Sequence, residues 1–117
     1  MGSTGHKRAF QGLLWAVKPL VNLPGSIPFP YVLTFLMVAV EEGQPVAAYA
    51  RAMNVNRFVM SRYIRCIGDR ARNGGPGLGL VTTKRIRNSP TRTAVFLTDK
   101  GRTVAAQMYQ NLQRPPE

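Results

Sequence analysis

The run from Gln44 to Gly101 leaves this chain few architectures to adopt. It reads as a short helix over residues 46–53, a tight turn at Asn54-Val55-Asn56 and a basic helix from Arg57 to about Arg70. Two strands follow, 80–87 and 92–97, joined by the turn Asn88-Ser89-Pro90-Thr91 and closed by Leu97-Thr98-Asp99-Lys100-Gly101. Twelve of the sixteen Lys/Arg residues lie between Arg51 and Arg102, opposed there only by Asp69 and Asp99. A folded unit with its positive charge gathered on one helix and one hairpin suits a polyanion, duplex DNA first among them.

The rest of the chain supplies the frame. Phe10, Leu13, Leu14, Val17, Leu20 and Val21 form a helical stripe over 6–22, and Pro19 should end or kink that helix near Lys18. Three prolines and a glycine make 22–30 a loop, with Pro30 suited to the first turn of the next helix. That helix, 31 to about 42, is apolar almost all round and is expected to be central and buried, with Gly43 ending it. Val46, Tyr49, Ala50 and Met53 should face inward from the short helix, and Met60, Ile64 and Ile67 from the basic one, with Tyr63 alongside. Four glycines and a proline exclude regular structure over 72–79. Ala94 and Phe96 share a face of the returning strand. Thr98 caps a last helix, 99–112, whose stripe is Val104, Ala105, Met108, Tyr109 and Leu112.

At 117 residues the chain has room for one domain, 1–117, with a core over 27–112 and the helix 6–22 as a dimerisation element. The expected class is mainly α with a small β-hairpin wing, a winged helix-turn-helix. In such a fold the second helix of the motif enters the major groove and the hairpin reaches a neighbouring one. The resemblance then becomes specific. Ile27-Pro28-Phe29-Pro30-Tyr31 ahead of an apolar helix, the run from Val46 to Arg57, Met60-Ser61-Arg62, and Leu97-Thr98-Asp99-Lys100-Gly101-Arg102 together resemble the MarR family of bacterial transcriptional regulators, over roughly residues 27–112. The chain departs from that pattern in its short terminal helices, its long 73–79 link, and the absence of an Asp before Arg92.

The basic helix carries the candidate readout. Asn56, expected among the DNA-binding residues, is also positioned to cap it, accepting from the free amides of Phe58 or Val59. Arg62 sits where a guanidinium can fork onto a guanine edge, and the short Ser61 allows close approach. Arg57 and Arg65 suit phosphates. Phe58 either packs on a thymine methyl or covers the preceding turn. Lys84, Arg85, Arg87 and Arg92 place four cations on one hairpin without an acid, which would repel one another unless a polyanion lies against them. The resemblance implies that Arg92, with Asn88 and Thr91, enters the minor groove. It also implies a homodimer, through stripes that here comprise Leu13, Leu14, Trp15 and Val17 with Val104, Met108, Tyr109 and Leu112. A small-molecule effector is a family expectation whose chemistry no residue names.

Other functions find little footing. Asp69 and Asp99 are isolated, and the one histidine, His6, lies near a tail, so no catalytic set or metal site is expected and no cofactor is implied. Residues 74–79 lack the Lys of a phosphate loop. The single Cys66 excludes an intramolecular disulfide and reads as a buried thiol, with redox sensing as its alternative. The apolar run 32–40 ends at Glu41 and Glu42, too short for a membrane span. The expectation is a cytoplasmic, nucleoid-associated transcriptional regulator that binds double-stranded DNA. Two alternatives stay open: an architectural or recombination accessory factor of a mobile element, and a winged-helix module whose basic face docks on an acidic protein.

Overall fold

A computed structural model of the chain describes residues 3–23, 27–69, 77–87 and 92–114. The described residues form five α-helices and a three-stranded antiparallel sheet: α1 (Ser3–Val17), a 3-10 turn (Lys18–Asn22), α2 (Phe29–Val40), β1 (Gln44–Pro45), α3 (Val46–Met53), α4 (Arg57–Ile67), β2 (Val81–Arg85), β3 (Thr93–Leu97) and α5 (Asp99–Gln113). The mainly helical class with a hairpin wing is observed. By compactness the chain divides into two units, 1–26 with 102–117, and 27–101.

In the unit 27–101 each helix ends where local chemistry dictates. Pro30 opens the first turn of α2, in keeping with its fixed φ and missing N–H. Thr34, Phe35 and Val38 of α2 are buried, but Phe29 and Val40 stand 69% and 85% exposed. The helix expected to be central and buried packs on α3, α4 and β3 and is exposed at its two ends. Its one buried polar side chain is satisfied: Thr34 Oγ1 donates to the Pro30 carbonyl at 2.8 Å. Tyr49 of α3 ties the following corner, donating to the Glu41 carbonyl at 2.6 Å and accepting from the Gln44 amide at 3.3 Å. Burial holds its phenol above the ordinary value of 10.0; the Gln44 bond opposes this, and the charges of Glu41 and Glu42 add to it.

Gln44 and Pro45, expected only to restart the chain, form the third strand. They pair with Val95 and Ala94 of β3, and the Gly43 amide extends the ladder to the Val95 carbonyl at 2.7 Å. The sheet order is β1-β3-β2, with Val81 opposite Leu97 and Arg85 opposite Thr93. Central β3 is consequently covered on both faces: Val95 and Leu97 are buried as well as Ala94, and Phe96 is half-buried.

α4 ends at Ile67, three residues before the expected Arg70. Leu78, Gly79 and Leu80 return to donate to the carbonyls of Cys66, Gly68 and Ile67 at 3.2, 2.7 and 2.7 Å, which satisfies the helix end. Thr98 then locks the exit from the hairpin. Its hydroxyl donates to the Gly79 carbonyl at 2.6 Å and accepts from the Gly101 amide at 3.0 Å, capping α5. A Cβ at Gly101 would fall onto the Leu80 carbonyl oxygen, so the glycine of the Leu-Thr-x-x-Gly closure is a close-approach residue.

In the other unit α1 stops at Val17 and Pro19 enters the first turn of the 3-10 segment, as its position foretells. Gly12 lets α1 approach Leu112 of α5, and Asn111 donates its side-chain amide to the Trp15 carbonyl at 2.8 Å. Phe10, Leu13, Leu14, Val21, Tyr109 and Leu112 are exposed there.

Candidate nucleic-acid interface

The turn between α3 and α4 sets the site. Asn54 closes α3 in the left-handed region (φ 58°), which asparagine tolerates. Val55 and Asn54 donate to the Ala50 and Arg51 carbonyls at 3.0 and 3.2 Å, a Schellman closure. Asn56 Oδ1 then accepts from the Val59 amide at 2.9 Å, the cap expected of it. α4 thus starts at Arg57, directly after this turn. Its inner face, Met60, Ile64, Cys66 and Ile67, is buried. Arg57, Phe58, Arg62 and Arg65 are exposed and Ser61 is half-buried.

Phe58 is 79% exposed, which removes the reading in which it covers the preceding turn. The Arg57 guanidinium lies 5.9 Å from its ring centre. Cys66 is buried, as a packing thiol should be. On the wing, Lys84, Arg85, Arg87 and Arg92 are exposed, and the Ile86 amide bonds the Arg92 carbonyl at 2.9 Å to extend the ribbon beyond β2 and β3. Lys84 Nζ stands 5.3 Å from the Phe96 ring centre, held over the sheet as a cation on an aromatic face. Asn88 and Thr91 lie outside the described residues.

Two clefts join these elements. The smaller, about 280 Å³, runs between α4 and the sheet and is lined by Ser61, Arg65, Asp69, Thr82, Thr83 and Thr93 among others. The larger, about 580 Å³, is lined by Pro45, Val46, Ala47, Arg51, Arg57, Phe58, Ser61, Arg92 and Thr93. It brings together Ser61, Phe58 and Arg57 of α4 with Arg92 of the wing, residues expected on separate elements. It also adds Arg51, which sequence reasoning passed over. The signal was present: Ala47 and Arg51, four apart, share the face of α3 opposite the inward Tyr49 and Ala50.

Of the residues expected on the dimerisation stripes, Leu13, Leu14, Tyr109 and Leu112 are exposed, while Trp15, Val17 and Val104 are half-buried. Met108, at 6% exposure, is buried. Trp15 carries Lys18 Nζ 4.2 Å from its ring centre. Among the described residues no helix is long and apolar enough to cross a membrane, and no three metal-ligating groups come together.

A helix-turn-helix followed by a hairpin and a capped helix is the winged helix-turn-helix fold of MarR-type regulators. Solved structures agree. Rv1404 from Mycobacterium tuberculosis superposes with a TM-score of 0.70 at 16% identity, over 95% of this chain and 68% of that one. The transcriptional regulator Tm0710 from Thermotoga maritima gives 0.69 at 12% identity, over 94% and 70%. A mutant of MepR from S. aureus, bound to an oligodeoxyribonucleotide, gives 0.65 at 13%, over 94% and 71%. At such identities the likeness is one of fold. No protein-family model and no curated protein matches the sequence.

Proposed function

We propose that this chain binds duplex DNA as a homodimer and regulates transcription, without catalysis. α4 enters the major groove, where Arg62 reads a guanine edge, Ser61 permits the approach, and Arg57 and Arg65 hold phosphates. The wing, through Arg92 with Asn88 and Thr91, meets the minor groove, and Lys84, Arg85 and Arg87 attract the backbone. The observation that carries this reading is the split character of α4: Met60, Ile64 and Ile67 anchor it in the core while every cation on it is exposed. A solvated helix face is the ordinary fate of such charges. Here the helix follows a helix-turn-helix turn and shares a cleft with the wing's Arg92. The oligonucleotide-bound MepR structure, of the same fold, supports the reading.

The homodimer rests on the exposed Phe10, Leu13, Leu14, Val21, Tyr109 and Leu112, an apolar surface of the kind that marks an interface. Two copies on half-sites about 10 bp apart suit a two-fold operator. The place of action is then the cytoplasm, at the nucleoid. Selection of bound sites from a random duplex pool tests this. The expected product is an inverted repeat. Enrichment of direct repeats would replace the regulator with an accessory factor of recombination, and no enrichment would turn the basic face toward an acidic protein.

A further inference from the structure

We infer that the cleft lined by Arg51, Arg57 and Arg92 is a phosphate clamp, and that Arg51 of α3 is a DNA-backbone contact of this protein. The inference rests on the duplex-binding reading above and adds to it a residue and a site. Three arginines, from α3, α4 and the wing, line a single space of about 580 Å³, and among the described residues no acid lines it. Like charges gathered in a cleft with protein walls raise one another's energy, and the focused field draws an anion in. The first turn of α3 reinforces this. Val46 and Ala47 line the same cleft, so the dipole of α3 adds to its positive potential.

The cleft is open to the surface and has room for a phosphate carried on a larger molecule. Phe58 and Ser61, on the outer side of α4, line it too, which puts the clamp beside the groove-reading residues and on the path of the strand that borders them. A guanidinium suits that task because it forks onto two phosphate oxygens. The plain alternative for Arg51 is a cation in the last turn of α3 complementing the helix's negative end, a matter of stability alone.

The test is anisotropy of several labelled 30-bp duplexes of unrelated sequence, titrated with wild type, Arg51→Ala and Arg51→Lys across a range of KCl. The expected result for Arg51→Ala is a loss of roughly tenfold in affinity on every duplex, equal across sequences. Its salt slope falls by about one unit, the melting temperature is unchanged, and Arg51→Lys restores the slope. An Arg51→Ala variant with wild-type slope and affinity overturns the clamp while leaving duplex binding intact. So does a lowered melting temperature with an unchanged slope. Saturable, Arg51-dependent binding of inorganic phosphate at fixed ionic strength, with the DNA slope unchanged, also overturns it and gives the cleft to a free phosphate-bearing molecule. Absence of salt-dependent duplex binding by wild type removes the duplex-binding reading itself, a result distinct from the others.

Discussion

α1 and α4 are both amphipathic, but only α4 buries its apolar face. α4 buries Met60, Ile64 and Ile67 and shows solvent Arg57, Arg62 and Arg65; α1 leaves Phe10, Leu13 and Leu14 in solvent. The contrast separates two kinds of partner. A charged face over a filled core is well solvated in water, and its clustered like charges favour an anion. An apolar face in water is unfavourable by about 25 cal/mol per Å², so it calls for cover by another protein surface. Each helix therefore makes a claim that can be broken without touching the other.

The largest effect is expected at the frame that holds α4 and the wing in place. Gly101→Ala sets a methyl against the Leu80 carbonyl oxygen, a backbone atom that cannot swing aside. It should cost about 3 kcal/mol or more, read as loss of the cooperative thermal transition. Next comes the apolar face. Leu13→Asp with Leu14→Asp should reduce self-association by about 3 kcal/mol or more, since two buried leucines are lost and two charges must be desolvated. Sedimentation should then show a monomer whose salt-dependent binding to random duplex survives; a persistent dimer would place the interface elsewhere. Arg62→Ala is the reciprocal cut. It should leave sedimentation unchanged and relax sequence preference by about 1–3 kcal/mol at one base pair, measured by competition between duplexes.

A smaller effect distinguishes support from contact on α4. Asn56 was expected at the DNA interface, and its Oδ1 is occupied by the Val59 amide. Asn56→Ala should lower stability by about 1 kcal/mol and Asn56→Asp should restore it, since either side chain accepts at a helix start. A variant that melts normally and loses DNA affinity would make Asn56 a direct contact instead. The smallest effect concerns Tyr49. Burial raises its folded pKa above 10.0, so the stability tied to the neutral phenol is complete below pH 10.0 and is lost as pH rises toward the folded value. The melting temperature of wild type should fall above that pH more steeply than that of Tyr49→Phe, and parallel curves would show that the corner does not sense ionisation.

Much of the frame was legible in the residues. Pro19 ends α1, Asn56 and Thr98 cap their helices, and Met60, Ile64 and Ile67 turn inward where their spacing says they should. The candidate site was legible as separate pieces: exposed cations on α4, exposed cations on the wing. β1 was not, because two residues, one of them proline, carry no alternation to read. Nor was the exposure of Phe58, for which burial over the turn and projection into solvent fit the same sequence.

What the sequence alone determines is therefore whatever a few neighbouring residues can encode: element order, caps, the side of each helix that is apolar, and the concentration of charge between Arg51 and Arg102. Those follow from backbone preference and periodicity, which act over one or two turns. The tertiary structure alone decided that Gln44 and Pro45 complete a sheet with β3, that Gly101 must admit the Leu80 carbonyl, that Met108 is buried, and that Arg51, Arg57 and Arg92 line one cleft. Each joins segments tens of residues apart or depends on what fills the space around a side chain. Such contacts are set by how the elements pack, which no local pattern records.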